Sequence, residues 1–271
     1  MASAAASMLV ACSEPGVAPV PGRAGDASSR SAAPREERGV PILGYEIVAE
    51  HPHDPRAYTQ GLLVADGVMY ESTGQRGESG VRAVDIATGE VLKNRPISPQ
   101  LFGEGLASVG GLLIQLTWTS GQALVFQRKG LVPAGYAYRY EGEGWGLTSM
   151  GDELVMSDGS DELRILDPKG MKETRRVRVT AGGVPVDQLN ELEFIDGEIW
   201  ANVWKSDRIA RIDPATGDVV AWVDLSGLLG RRRVRSPLED VLNGIAHDED
   251  SGKIYVTGKR WPVLFEIRVV E

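Results

Sequence analysis

The sequence predicts an all-β protein: a five-bladed β-propeller with four-stranded antiparallel blades. Three observations predict it. A fifteen-residue pattern recurs five times at about the period of a propeller blade. No segment carries convincing helical periodicity. Finally, 33 glycines and 15 prolines supply turns along a chain of 271 residues.

The repeats read "QGLLVADGVMYESTG" (60–74), "EGLASVGGLLIQLTW" (104–118), "WGLTSMGDELVMSDG" (145–159) and "NELEFIDGEIWANVW" (190–204). A fifth, "NGIAHDEDSGKIYVTGK" (243–259), has two extra residues in its turn. Each is a short strand, a tight Gly/Asp turn and a second strand of alternating character. Starts at 60, 104, 145, 190 and 243 give spacings of 44, 41, 45 and 53. The segments that follow, "RAVDIATGEVL", "LRILDPKGMK" and "IARIDPATGDVV", place Asp and Gly between apolar runs. There Asp bonds the turn backbone and Gly supplies positive φ, so each unit gains a second hairpin. The stretch "VPILGYEIVAEHPHDPRA" (40–57) is expected to provide the outer strand that closes the ring with the last unit.

In a propeller the first strands line the axis, so equivalent positions converge there. The first aligned position holds Gln60, Glu104, Trp145, Asn190 and Asn243; the last holds Gly74, Trp118, Gly159, Trp204 and Lys259. Tyr58 and Phe102 stand two residues before the first position in their copies and are expected to flank the mouth. A structural ring would repeat one residue type. These vary while their surroundings repeat, which points to an asymmetric site on a symmetric scaffold. A carboxyl among indoles has its pKa raised by desolvation, which turns a Glu into a proton shuttle near neutral pH. Carboxamides and a lysine can stabilise a developing oxyanion.

Other chemistries fit less well. Asp plus Glu at 38 against Lys plus Arg at 29 leaves −9, which argues against nucleic acid as a partner. "RRRVR" at 231–235 reads as a solvated loop, the alternative being a site for an acidic partner. Three histidines are too few for an ordinary zinc site, and His51-Pro-His53 reads as an exposed loop. No metal and no cofactor are expected. A Ca²⁺ site from Asp158, Asp161 and Glu193 is the alternative, and with it a lactonase or sugar-acid hydrolase. A non-catalytic binding propeller is the third reading.

The lone cysteine, Cys12, follows Leu9, Val10 and Ala11 in the order of a bacterial lipoprotein cleavage box. The Ala/Ser/Gly/Pro-rich stretch to residue 39 has the composition of a flexible tether. Eleven residues precede Cys12 and none is Lys or Arg, so an unstructured cytoplasmic tail is the alternative. The expectation is an exported periplasmic or cell-envelope lipoprotein, lipidated at Cys12. Its tether would cover 1–39 and its catalytic domain 40–271. It would be a monomer that meets the membrane only through that lipid.

Nine blocks in order, "YTQGL", "FGEGL", "LTW", "GWGLT", "SDGS", "LNELE", "WANVW", "LNGIA" and "TGKRWP", make the chain resemble the glutaminyl cyclases of the plant and bacterial type. The likeness runs from about residue 41 to the last residue. It implies a five-bladed propeller that closes an N-terminal glutaminyl residue into pyroglutamate with release of ammonia. By the same resemblance, Glu104 is the proton shuttle. Gln60, Asn190 and Lys259 hold the substrate's polar atoms, and Phe102, Trp118, Trp145 and Trp204 wall the pocket. Tyr58 departs from the Phe common in the family. Glu191 and Glu193 are left between pairing with Lys259 and touching substrate.

Overall fold

The computed structural model describes residues 35–271, so Cys12 lies outside the described residues. Every regular element in that range is a β-strand. Strand β1 (Arg35–Glu37) turns back on β2 (Val40–Pro52), with Glu37 opposite Val40. Residues 35–39, given to the tether by composition, therefore belong to the folded unit. Arg38 and Gly39 both take positive φ, 55° and 77°, and make the turn that permits the pairing.

Three four-stranded antiparallel sheets follow in sequence order. The first is β3 (Thr59–Ala65), β4 (Val68–Thr73), β5 (Gly80–Val84) and β6 (Val91–Pro96). The second is β7 (Gly103–Val109), β8 (Leu112–Thr117), β9 (Gln122–Gln127) and β10 (Val132–Arg139). The third is β11 (Leu147–Met150), β12 (Glu153–Met156), β13 (Glu162–Asp167) and β14 (Lys172–Arg178). A small hairpin, β15 (Thr180–Ala181) with β16 (Val184–Pro185), interrupts the repeat. A fourth antiparallel group is β17 (Leu189–Ile195), β18 (Glu198–Val203), β19 (Arg208–Ile212) and β20 (Val219–Asp224). The last is β21 (Leu242–Asp248), β22 (Lys253–Gly258) and β23 (Val263–Val270).

The closing strand expected from 40–57 is β2, antiparallel to β23 from Gly44↔Val270 to Pro52↔Val263. Its start also pairs in parallel with β20, at Ile42↔Trp222 and Leu43↔Val223. That pairing fuses the fourth and fifth groups into one nine-stranded sheet.

The first strand of each group packs on the first strand of the next: β3 on β7, β7 on β11, β11 on β17, β17 on β21 and β21 on β3. The core is correspondingly divided into five clusters, one between each neighbouring pair of sheets. Successive strand residues face opposite clusters: Leu62 joins the one shared with β21, Leu63 the one shared with β7. A strand buried on both faces reads as a continuous apolar run, which is the character of "GLLVA".

At the axis the position after the first aligned residue is Gly61, Gly105, Gly146, Glu191 and Gly244. A Cβ on Gly105 would stand 2.4 Å from Leu147 N, and one on Gly146 2.0 Å from Asn190 O. The inner strands approach too closely for any side chain. At the fourth place Glu191 accepts hydrogen bonds from Leu62 N (3.1 Å) and Ile245 N (2.8 Å), tying β17 to β3 and β21. Glu193, two residues on, accepts from His247 N at 2.9 Å and Thr148 Oγ1 at 3.1 Å. Neither carboxyl pairs with Lys259, which corrects one of the two roles left open for them. Their burial turns them to backbone and hydroxyl donors on neighbouring strands.

The ring is also clasped where β2 ends. His53 is buried, not in an exposed loop: Trp261 O lies 2.7 Å from its Nδ1 and Glu71 Oε1 3.2 Å from its Nε2. Glu71 also accepts from Thr59 Oγ1 at 2.7 Å and from Arg82 Nη2 at 2.5 Å, and Arg82 reaches Asp54 at 2.9 Å. Burial disfavours the charged forms of both His53 and Glu71. Their attraction to each other, with Arg82 beside Glu71, outweighs it. His53 is raised from 6.5, and Glu71 is lowered from 4.5 to about 2.

The raised histidine contributes stability fully below 6.5 and loses it as pH rises through its folded value. The lowered glutamate contributes above 4.5 and loses it as pH falls through about 2. The clasp is strongest between those limits. Glu71→Gln leaves Arg82 with Asp54 alone and is expected to cost about 3 kcal/mol, or roughly 6–12 °C in Tm. Melting curves across pH should show this gap widest between 4.5 and 6.5 and closing toward 2. A gap independent of pH would contradict the clasp.

Candidate active site

The starts of the inner strands bring the first aligned ring together. Glu104, on β7, is 4% exposed, and Gln60 Nε2 on β3 donates to its Oε2 at 2.7 Å. The amide orientations follow from one fixed acceptor. The carbonyl of Thr59 can only accept, so it takes Asn243 Nδ2 at 2.9 Å. The same Nδ2 donates to Gln60 Oε1 at 3.2 Å, which leaves Gln60 Nε2 to donate to Glu104. The backbone of Glu104 is pinned as well: Ser72 Oγ donates to its carbonyl and receives Gln115 Nε2 at 2.8 Å.

Two ring carboxamides keep a buried acceptor with no protein donor, Asn190 Oδ1 and Asn243 Oδ1. Buried acceptors of this kind are costly unless a ligand or solvent donor meets them.

Lys259, in the turn after β22, is 3% exposed and donates its backbone N–H to Val241 O at 2.9 Å. Burial brings it down from 10.5 to about 8, against the attraction of Glu104. Burial likewise pushes Glu104 well above 4.5, opposed by the Lys259 charge and the Gln60 bond, with a small push from Glu143. Desolvation therefore wins over the neighbouring ammonium, a competition the sequence left undecided.

Above this polar layer lies an aromatic rim, each member half-buried. Tyr58 meets Phe102 edge-on at 6.1 Å between centroids, and Phe102 meets Trp118 at 5.8 Å. Trp145 meets Trp204 edge-on at 5.7 Å. Lys259 Nζ stands 5.1 Å from the Tyr58 ring centroid and the Arg260 guanidinium 4.8 Å. Burial, with the Glu239 charge, pushes the Tyr58 hydroxyl up to about 12, so it is neutral across the working range. The other three indoles, Trp200, Trp222 and Trp261, are buried in the inter-sheet core.

Hydrogen bonds thus join Gln60, Glu104 and Asn243, ring contacts join Tyr58, Phe102 and Trp118 and pair Trp145 with Trp204, and Lys259 meets the Tyr58 ring. Glu143 was missed, yet it accepts from both Trp118 Nε1 (2.6 Å) and Trp145 Nε1 (2.9 Å). It stands two residues before the first aligned position, the place of Tyr58 and Phe102 in their copies, so the same register marks it. Asp158 and Asp161, offered as Ca²⁺ ligands, bond Ser160 at 2.5 Å and Arg178 at 2.7 Å instead. Among the described residues no group of three His, Cys, Asp or Glu is placed to hold a metal.

At the opposite ends of the inner strands, a cavity of about 320 Å³ is lined by Glu193, His247 and Asp248. Glu193 keeps part of its surface open there, and burial of the rest pushes it to about 8. None of the two-layer site faces it.

Fold and site together define a class: a propeller-like all-β protein whose axis buries one carboxyl beside one amine, under an indole-rich mouth. The comparisons with known proteins are more specific. The family model described as glutamine cyclotransferase matches residues 23–269, and the chain belongs to that family. A glutaminyl-peptide cyclotransferase of Arabidopsis thaliana is 44% identical over 231 residues, covering 83% of this chain and 71% of its own. The crystal structure of Myxococcus xanthus glutaminyl cyclase superposes with a TM-score of 0.78 at 39% identity. It covers 84% of this chain and 97% of that one.

The last aligned ring holds Gly74 because an aromatic ring lies directly on it: a Cβ there would stand 2.5 Å from Phe102 Cε1 and 3.0 Å from Gln60 Cγ. Gly74→Ala is expected to displace Phe102 at an overpacking cost of about 1–3 kcal/mol. Ring signals of Phe102 and Trp118 in NMR spectra should move. They should stay in place for Gly170→Ala, whose Cβ would meet nothing within 4 Å. Unmoved ring signals in Gly74→Ala would remove this explanation.

Proposed function

We propose that this chain is a five-bladed propeller enzyme that converts an N-terminal glutaminyl residue to pyroglutamate and releases ammonia. The blade number rests on the closed cycle of five inner strands and the five inter-sheet clusters. The activity rests on the family and on one observation above others. The carboxyl at the axis, Glu104, is buried, hydrogen-bonded by an oriented Gln60 and held above its ordinary range despite Lys259.

In this reading the glutaminyl side chain curls between Phe102, Trp118, Trp145 and Trp204 with Tyr58 at the mouth. Confinement brings the α-amine to its own side-chain carbonyl carbon, the proximity contribution to the rate. The amine nitrogen forms the new C–N bond, the carbonyl π electrons move onto oxygen, and the ammonium proton passes to the Glu104 carboxylate. Lys259 faces the resulting oxyanion. Glu104 then returns the proton to the amide nitrogen, the oxyanion electrons re-form the carbonyl as the old C–N bond breaks, and NH₃ leaves. The unpartnered acceptors Asn190 Oδ1 and Asn243 Oδ1 suit the N–H donors that such a substrate brings. Gln60 holds Glu104 and so the proton's position. No cofactor or metal takes part. Lipidation at Cys12, with export to the cell envelope, extends the reading on the strength of the "LVAC" box alone.

Glu104→Gln keeps the size and the axial position and removes the proton shuttle. Ammonia release from a Gln-initiated dipeptide in excess chelator should fall roughly 10²–10⁴-fold, with the circular dichroism spectrum unchanged. Retention of more than about a tenth of wild-type kcat would overturn the role of Glu104, the loss being below that of a general acid-base group. Wild-type activity lost to chelator and restored by Ca²⁺ would favour the hydrolase alternative.

A further inference from the structure

Glu143 is a charged side chain that touches two walls of the pocket. Trp118 directly follows β8 of the second sheet, and Trp145 stands two residues before β11, the inner strand of the third. Their indole N–H groups reach the same oxygen, Glu143 Oε2, at 2.6 Å and 2.9 Å. An indole has a single donor, so a shared acceptor fixes the plane of each ring and the gap between them.

The local backbone is arranged for that reach. In four copies the residue at the last aligned position donates its N–H to the carbonyl two residues before the first. The pairs are Gly74 to Tyr58 at 2.8 Å, Trp118 to Phe102 at 3.0 Å, Trp204 to Gln188 at 2.9 Å and Lys259 to Val241 at 2.9 Å. The third copy departs. Gly144 N donates to Trp118 O at 3.0 Å, and Gly159 O receives Gln188 N at 2.8 Å. The Glu143 loop is tied to the neighbouring sheet at the residue its side chain also holds. Gly142 on its other side takes φ of 76°.

We propose that Glu143 is a positioning residue for the cyclisation: it sets the spacing of Trp118 and Trp145 and supplies the negative potential in which Glu104 works. The proposal rests on the cyclase reading for its second half only. The groups acting on Glu104 are Lys259, Gln60 and Glu143, and Tyr58 and Tyr140 lie within its field. Of these, Glu143 is the one anion, and it opposes ionisation of Glu104.

Two variants separate the two roles. Glu143→Gln keeps an acceptor oxygen for both indoles and loses the charge; Glu143→Ala loses both. In ¹⁵N-tryptophan spectra of the full chain, two indole N–H resonances should lie downfield, as bonds to a charged acceptor do. Both should move upfield in Glu143→Ala and part of the way in Glu143→Gln. With a Gln-initiated dipeptide, Glu143→Ala should lower kcat by roughly ten- to a hundredfold, the scale of an ångström's misplacement. Glu143→Gln should retain kcat within about threefold, its indole bonds being weaker but present, while the acid limb of its pH–rate profile moves to lower pH. Indole resonances unmoved in Glu143→Ala overturn the clamp. An acid limb unmoved in Glu143→Gln overturns the electrostatic role. If the wild type cyclises no glutaminyl peptide while the indole resonances respond, the cyclase reading fails and the clamp stands.

Discussion

The tight approach of five inner strands at the axis constrains everything else in this protein. Four of the five positions after the first aligned residue are glycine: at Gly61, Gly105 and Gly146 neighbouring backbone atoms occupy the space a Cβ needs, and Gly244 takes a φ of 124°. Strands this close leave amide groups facing the axis, away from water, where an unpaired donor costs about 1–3 kcal/mol. Glu191 meets that demand by accepting from Leu62 N and Ile245 N, and Asn202 Oδ1 does so for Gly244 N at 2.8 Å. The axis is therefore packed with polar side chains in a dry setting. The site lies at the starts of these strands.

Dryness is what gives Glu104 its chemistry. In water a lysine beside a carboxyl would lower its pKa; here burial pushes Glu104 up and Lys259 down, toward each other. A carboxyl raised toward the range of the substrate amine, pKa ~7.7–8, takes up and returns that amine's proton at lower cost than an ordinary one. The oriented series Thr59, Asn243, Gln60 and Glu104 fixes which carboxyl oxygen is already bonded. The aromatic rim excludes water from the same place. Fold, electrostatics and the proposed chemistry thus share a single cause.

Much of this was legible in the sequence because a repeat converts position into geometry. Gln60, Glu104 and Asn243 align in the sequence, and two hydrogen bonds join them in the structure. The closing strand was legible from its place ahead of the first repeat, its parallel pairing with β20 was not, since two residue pairs leave no pattern. His53 was misread because a histidine between a proline and an aspartate looks like a loop. Its burial depends on Glu71, Arg82 and Trp261, all distant in sequence, and of these only Glu71 lies within a repeat copy. Glu143 was legible in principle by register, but a carboxylate where two other copies carry aromatic rings does not announce that it binds indoles. Glu191 and Glu193 could not be resolved, because a buried acid's partners here are backbone amides, which every sequence has.

The protonation of Glu104 in the free protein tests this most directly. The carboxyl can be followed by ¹³C NMR in glutamate-labelled protein and assigned by the resonance missing from Glu104→Gln. It should titrate well above 4.5, and higher still in Lys259→Met, where the opposing charge is gone. Titration at or below 4.5, or a downward move in Lys259→Met, would contradict burial as the source of its reactivity.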